Sequence, residues 1–181
     1  MSSPHRVIVG TSGSPGNLCA LRHAEHLARA YDAALIPVHT WVPPGGEIAE
    51  RRSPCEQLRC LWTDDAWQRL WGAIDAAWGQ LPTDLPVRPV VERGAPGRVL
   101  TIIASRPGDL LVVGTGRRST LTRVFPSRVS RYCLAHAQCP VLAVPPAVAS
   151  PHAGHGPLWW VFWHRTLIPD RVLRDRGTAS A

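Results

Sequence analysis

The chain has 181 residues, 45% hydrophobic and 18% charged, with a formal net charge of +7. These values describe a globular chain of one domain plus a tail and exclude a disordered one. All 20 basic residues are Arg, which excludes a Walker-type phosphate lysine, a Schiff-base lysine and a lysine general base.

Residues 6–11 (RVIVGT) are an apolar, β-branched run and are expected as a buried strand. Residues 12–17 (SGSPGN) turn the chain into a first helix, on which Leu18, Leu21, Ala24, Leu27 and Ala28 share one face. The second strand is expected within residues 33–41, centred on 34–40, with Pro37 tolerated at a bulge or near an edge. Residues 42–54 contain Pro43, Pro44, Gly45 and Gly46 and read as a loop. A long helix is expected over 55–80, its stripe of Trp67, Leu70, Trp71, Ile74 and Trp78 packing on the sheet. Residues 87–92 read as strand three, 98–105 as a short helix, 110–114 as strand four, 129–137 as the last helix and 140–144 as strand five. The alternation predicts an α/β fold: a five-stranded parallel sheet with helices on both faces, flavodoxin-like or Rossmann-like.

The domain is expected to span residues 1–146, followed by a linker over 147–157 and a tail over 158–181 with a short helix. The tail holds Trp159, Trp160, Phe162 and Trp163. Its apolar run is too short to span a bilayer, which takes ~20 residues. Docking on the protein or on a dimer mate is the expectation, with interfacial membrane contact as the runner-up. The five Cys (19, 55, 60, 133 and 139) form no CxxC, and reduced, packed thiols are expected. With no signal-peptide core in the first residues, the expected location is the cytoplasm. No nucleic-acid-binding motif accompanies the positive charge, so nucleic acid is not an expected partner.

The densest chemical signal lies at residues 110–145. A strand runs into a Gly-Thr-Gly turn, then a loop rich in Arg and hydroxyl residues, a helix and a strand. In parallel α/β sheets, ligands sit at the carboxyl ends of strands beside the point where strand order reverses. That brings residues 10–14, 39–41 and 114–118 around one crevice. Arg117, Arg118 and Arg128 can hold phosphate by charge-assisted bonds. Ser14 and Ser119 are loop hydroxyls without an activating base in the pattern, so no catalytic residue is expected. His136 and Cys139 straddle a helix end and a strand start, and packing is expected there, not a metal.

The order of RVIVGTSGSPGNLCALRHAEHLA, IPVHTW, VVERGAPGRVL and DLLVVGTGRR…VSRYCLAHAQCPVLAVP resembles the universal stress protein family over residues 5–145. The resemblance implies ATP or AMP binding in some members, no nucleotide in others, and frequent dimerisation through the last strand. It places the nucleotide against Gly10, Thr11 and Ser12 of the first turn, with Val38 and Thr40 beside the adenine. Val113, Gly114, Gly116 and Arg117 would line it from the fourth strand and its loop. Ser127, Arg128, Val129 and Ser130 would do so from the start of the last helix. The family signature, G-x-x-G, nine residues, then G-[S/T], starts at Gly114. Its second glycine falls on Arg117, its third on Ser127 and its closing Ser/Thr on Arg128. Side chains there replace glycines that would let backbone N–H groups approach a phosphate. Ser12 stands where nucleotide-binding members often carry Asp, so Mg²⁺ is expected only together with a nucleotide. Two readings stay open: a stress-response protein binding ATP or AMP, and a nucleotide-free dimeric module for an unidentified protein partner. Weak ATP hydrolysis ranks behind both for want of a general base or metal carboxylate.

Overall fold

A computed structural model describes residues 3–12, 15–115 and 127–146. The elements in chain order are β1 (Arg6–Thr11), α1 (Pro15–Tyr31), β2 (Ala34–Trp41), α2 (Gly46–Arg52), α3 (Glu56–Trp78), β3 (Val90–Arg93), α4 (Pro96–Ile103), β4 (Asp109–Gly114), α5 (Arg128–His136) and β5 (Val141–Val144). The five strands form one parallel sheet in the order β3-β2-β1-β4-β5. Strand order reverses between β1 and β4. The chain also divides into a unit Met1–Ala147 and a unit Val148–Ala181; the expected linker and tail helix lie outside the described residues.

Strand alternation sorts the core into two layers. Val7, Val9, Leu35, Leu110 and Val112 pack with Leu21, Ala24 and Ala28 of α1 and Ala73 and Ala77 of α3. Ile8, Ile36, Val38, Leu111 and Val113 pack with Leu100 of α4 and Cys133 of α5. Helices therefore cover both faces, which is why the strands are apolar on both sides. The α4–α5 contact is close: a Cβ on Gly97 would lie 2.7 Å from Tyr132. Gly108 (φ +81°) supplies the left-handed turn before β4, and its carbonyl accepts from His5 N–H at 2.8 Å.

Three expectations need correction. Residues 42–54 are not simply a loop, because they contain α2. Gly45 (φ 85°) turns the chain into it, and Glu47 in its first turn and Arg51 and Arg52 in its last suit the helix dipole. No residue of α2 is buried. Charge ties it down instead: Arg93 donates to Glu47 at 2.6 Å and to Glu50 at 2.9 Å.

Strand three is the second, and Pro37 bears on it: β2 lies one strand in from the edge strand β3, so Pro37 is near an edge as expected. Leu35 donates its N–H toward the β3 side, to the Pro86 carbonyl. Alternate residues direct their amides the same way, so the missing N–H of Pro37 falls on that side too. There Pro89 interrupts the pairing: a single bridge joins Leu35 to Val87, and the β3 ladder starts at Val38↔Val90. Strand three is accordingly Val90–Arg93, shorter than 87–92.

The indole stripe of α3 is only partly core. Ala66, Leu70, Ala73, Ile74 and Ala77 are its buried residues, whereas Trp71 is 44% exposed. Alanines bring α3 close to the sheet; Trp78 packs partly against that core, and Trp67 and Trp71 move to the flank. Trp67 and Trp71 stack on each other there, with ring centroids 6.4 Å apart.

Candidate functional site

The candidate site is the crevice at the carboxyl ends of β1 and β4. β1 ends at Thr11 and leads into α1 on one face; β4 ends at Gly114, and α5 packs on the other. Neither helix has an acidic residue in its first turn. Their positive N-terminal ends are therefore not neutralised from within.

The β4–α5 side is stitched by two serines. Ser127 caps α5: its Oγ accepts from Ser130 N–H at 3.1 Å. Ser130, fully buried, donates its hydroxyl to the Gly114 carbonyl at 3.0 Å. The position that lacks the signature's third glycine thus does the work of a helix cap. Arg128 opens α5 with an exposed side chain, and Val129 packs partly against the core. Val113 is 2% exposed, beneath this junction. Thr115 N–H bonds to the Val144 carbonyl at 2.8 Å, which carries the β4–β5 register past Gly114.

On the other side, Gly10 faces Leu100 so closely that a Cβ would lie 2.8 Å from its Cδ1. Ser12 is exposed just beyond β1, and Thr40 is half-buried in β2. Val38 is closed into the core at 1% exposure. Gly116 and Arg117 lie outside the described residues.

Sequence reasoning brought Thr11 and His39 to the crevice but missed Asn17 and the burial of all three polar groups. Thr11, Asn17 and His39 are each buried. Thr11 Oγ1 donates to the Val38 carbonyl at 3.2 Å and lies 3.2 Å from His39 Nδ1. Its single proton is committed to the carbonyl, so Nδ1–H of His39 donates to Thr11. Nε2 is left as the acceptor of a neutral ring. Burial holds the His39 pKa below its ordinary value, and Arg69 adds to the effect, while a hydrogen bond to the Thr11 backbone and Asp65 oppose it. The available signal was polar residues ending otherwise apolar strands.

The sign of the pH effect follows. The unfolded state binds more protons at this group, so stability is lost as pH falls below the unfolded His value of about 6.5. His39→Gln should remove that part of the slope, which for one proton is at most about 1.4 kcal/mol per pH unit. Urea melts between pH 7.5 and 5.5 measure it, and an unchanged slope would contradict the assignment.

Among the described residues no group of three or more His, Cys, Asp and Glu could hold a metal ion. Burial pushes the Cys133 thiol up to about 11, which makes it a packing residue and not a nucleophile. A shallow cleft of about 390 Å³, lined by Arg22, His26, Arg29 and Trp78 among others, lies toward the far ends of α1 and α3. Those helix ends are at the opposite edge of the sheet from the crevice.

The model of the universal stress protein family matches residues 4–145. A universal stress protein of Mycolicibacterium smegmatis is 30% identical over 145 residues, covering 77% of this chain and 45% of the relative. The chain thus spans about half the length of the curated relative it matches. A universal stress protein solved in complex with cAMP aligns at 24% identity with a TM-score of 0.51, over 81% of this chain and 100% of that one. The protein MJ0577 aligns at 17% identity with a TM-score of 0.64, over 82% of this chain and 100% of that one. At these identities the two structures share the fold.

Proposed function

From the premise that the chain belongs to the universal stress protein family, we propose that it is a cytoplasmic stress-response protein that binds ATP or AMP at the carboxyl ends of β1 and β4. The observation that carries this reading is the pair of helix N-termini, α1 and α5, without acidic first-turn residues, on either side of the sheet's reversal point. Such ends attract phosphate through unpaired N–H groups and the helix field. A structural neighbour solved with cAMP supports a nucleotide as the class of ligand.

Gly10, Ser12, Thr40 and Gly114 form the rim, with Thr11 buried beneath it, and Arg128 brings a guanidinium to the phosphate end. Gly116 and Arg117 would join them from the loop after β4. Mg²⁺ enters only with the nucleotide. Among the described residues β5 is one of the two edge strands, with Val141, Leu142 and Ala143 partly exposed. An apolar edge of this kind needs a cover, and a second copy pairing across a two-fold axis provides it.

A nucleotide-free interaction module is the second reading. It is favoured by the way Ser127 and Ser130 satisfy the start of α5 from within. Thermal unfolding separates the two. AMP or ATP bound by the folded chain alone raises the midpoint by mass action, about 2.7 kcal/mol at a hundred times Kd. Arg128→Ala should reduce the rise, and added salt should too, since screening acts over about 10 Å at ~0.1 M. A midpoint indifferent to millimolar nucleotide would leave the interaction module.

A further inference from the structure

We infer that Asn17 is a phosphoryl-oxygen donor, holding the anionic end of the ligand at the N-terminus of α1. The inference rests on the nucleotide reading of the same crevice and adds a residue and a ligand atom to it. Asn17 is 5% exposed, and its Nδ2 has no hydrogen-bond partner among the described residues. A buried amide donor without an acceptor is costly, and native chains seldom keep one without reason. Asn17 is the third residue of α1, which starts at Pro15. Side chains on a helix lean toward its N-terminus. The carboxamide therefore leans toward the end that meets the carboxyl edge of the sheet.

The electrostatics agree. The first turn of α1 holds no carboxylate, and Pro15 brings no N–H to it. The contrast with α5 is direct. There the donor at Ser130 N is taken by Ser127 Oγ, and the Ser130 hydroxyl is taken by Gly114. At α1 the side-chain donor of Asn17 is unspent among the described residues. An oxyanion at this end would accept from Nδ2 and lie in the favourable field of the helix. A phosphoryl group has that chemistry, whether it belongs to a nucleotide or is free phosphate.

The test compares the full chain with Asn17→Ala, using adenosine, AMP and inorganic phosphate as separate probes. Without ligand the variant should unfold at the same temperature as the parent or higher, because a stranded donor has been removed and Ala suits a helix. Its affinity for AMP should fall about ten- to a hundredfold, the range for a hydrogen bond to a charged group. Adenosine, which has no phosphoryl group, should bind both chains alike.

A variant that melts well below the parent without ligand makes Asn17 a structural residue and overturns the inference. So does AMP binding that the substitution leaves unchanged, in which case the nucleotide reading stands. If neither adenosine nor AMP binds the parent, the nucleotide reading falls. The inference then survives only if phosphate stabilises the parent and not the variant; equal or absent stabilisation overturns it as well.

Discussion

Asp109→Ala should destabilise the fold by about 3 kcal/mol, the lower part of the range for stripping one partner from a buried ion pair. Asp109 is 3% exposed at the start of β4, in register with Arg6 at the start of β1. Arg6 donates to its carboxylate twice, from Nε at 2.7 Å and from Nη2 at 2.6 Å. Arg106 N–H donates to the same carboxylate at 2.9 Å. Arg6 Nη2 also reaches the Ile103 carbonyl at 3.0 Å, so one guanidinium ties β1, β4 and the end of α4 together. Losing the carboxylate strands this cation. The Arg6 side chain keeps 21% exposure and gains some water in compensation, which sets the effect at the lower end. Asp109→Asn retains the shape and one acceptor, and should lose less. Urea denaturation measures both, and a loss under about 1 kcal/mol for the Ala variant would mean that the pair is solvated like a surface bridge.

Leu111→Ala should cost about 3 to 4 kcal/mol, the transfer free energy of the deleted methyl groups plus the cavity they leave. Leu111 is fully buried in β4, between β1 and β5, among Ile8, Leu100, Val113 and Cys133. Helices cover both sheet faces, so little can move in to fill the space. Leu58→Ala on α3, where the side chain is 43% exposed, should change stability by no more than about 0.5 kcal/mol. A Leu111 variant as stable as the Leu58 variant would contradict the two-layer core.

The strands were legible because parallel strands buried on both faces are apolar throughout, and each expected strand overlaps an observed one. The ends of elements were less so. α2 escaped because it buries nothing, and its anchor, Arg93, lies more than forty residues away in sequence at the end of β3. A contact of that range leaves no local periodicity. The Trp stripe of α3 misled in the same way: hydrophobicity ranks indole above methyl, but distance of approach decides which one reaches the sheet.

Of the crevice, the strand ends and the α5 start were readable from the Gly and Ser positions. The role of Ser127 was not, since a substituted glycine reads as a loss until the helix behind it shows a cap. Thr11 and His39 were placed at the crevice, but Asn17 and the burial of the three together were unreadable. Their burial depends on α1 and α3 closing over one face of the sheet, which no single window of sequence contains.

The central claim is that a nucleotide binds where β1 and β4 end. Titration calorimetry of the full chain with AMP and with ATP, at low salt and at physiological salt, tests it most directly. The predicted result is saturable binding to one site per chain, weaker at the higher salt and weaker again in Arg128→Ala. Absence of binding heat for both nucleotides at millimolar concentration, roughly the weakest affinity of use, would contradict it.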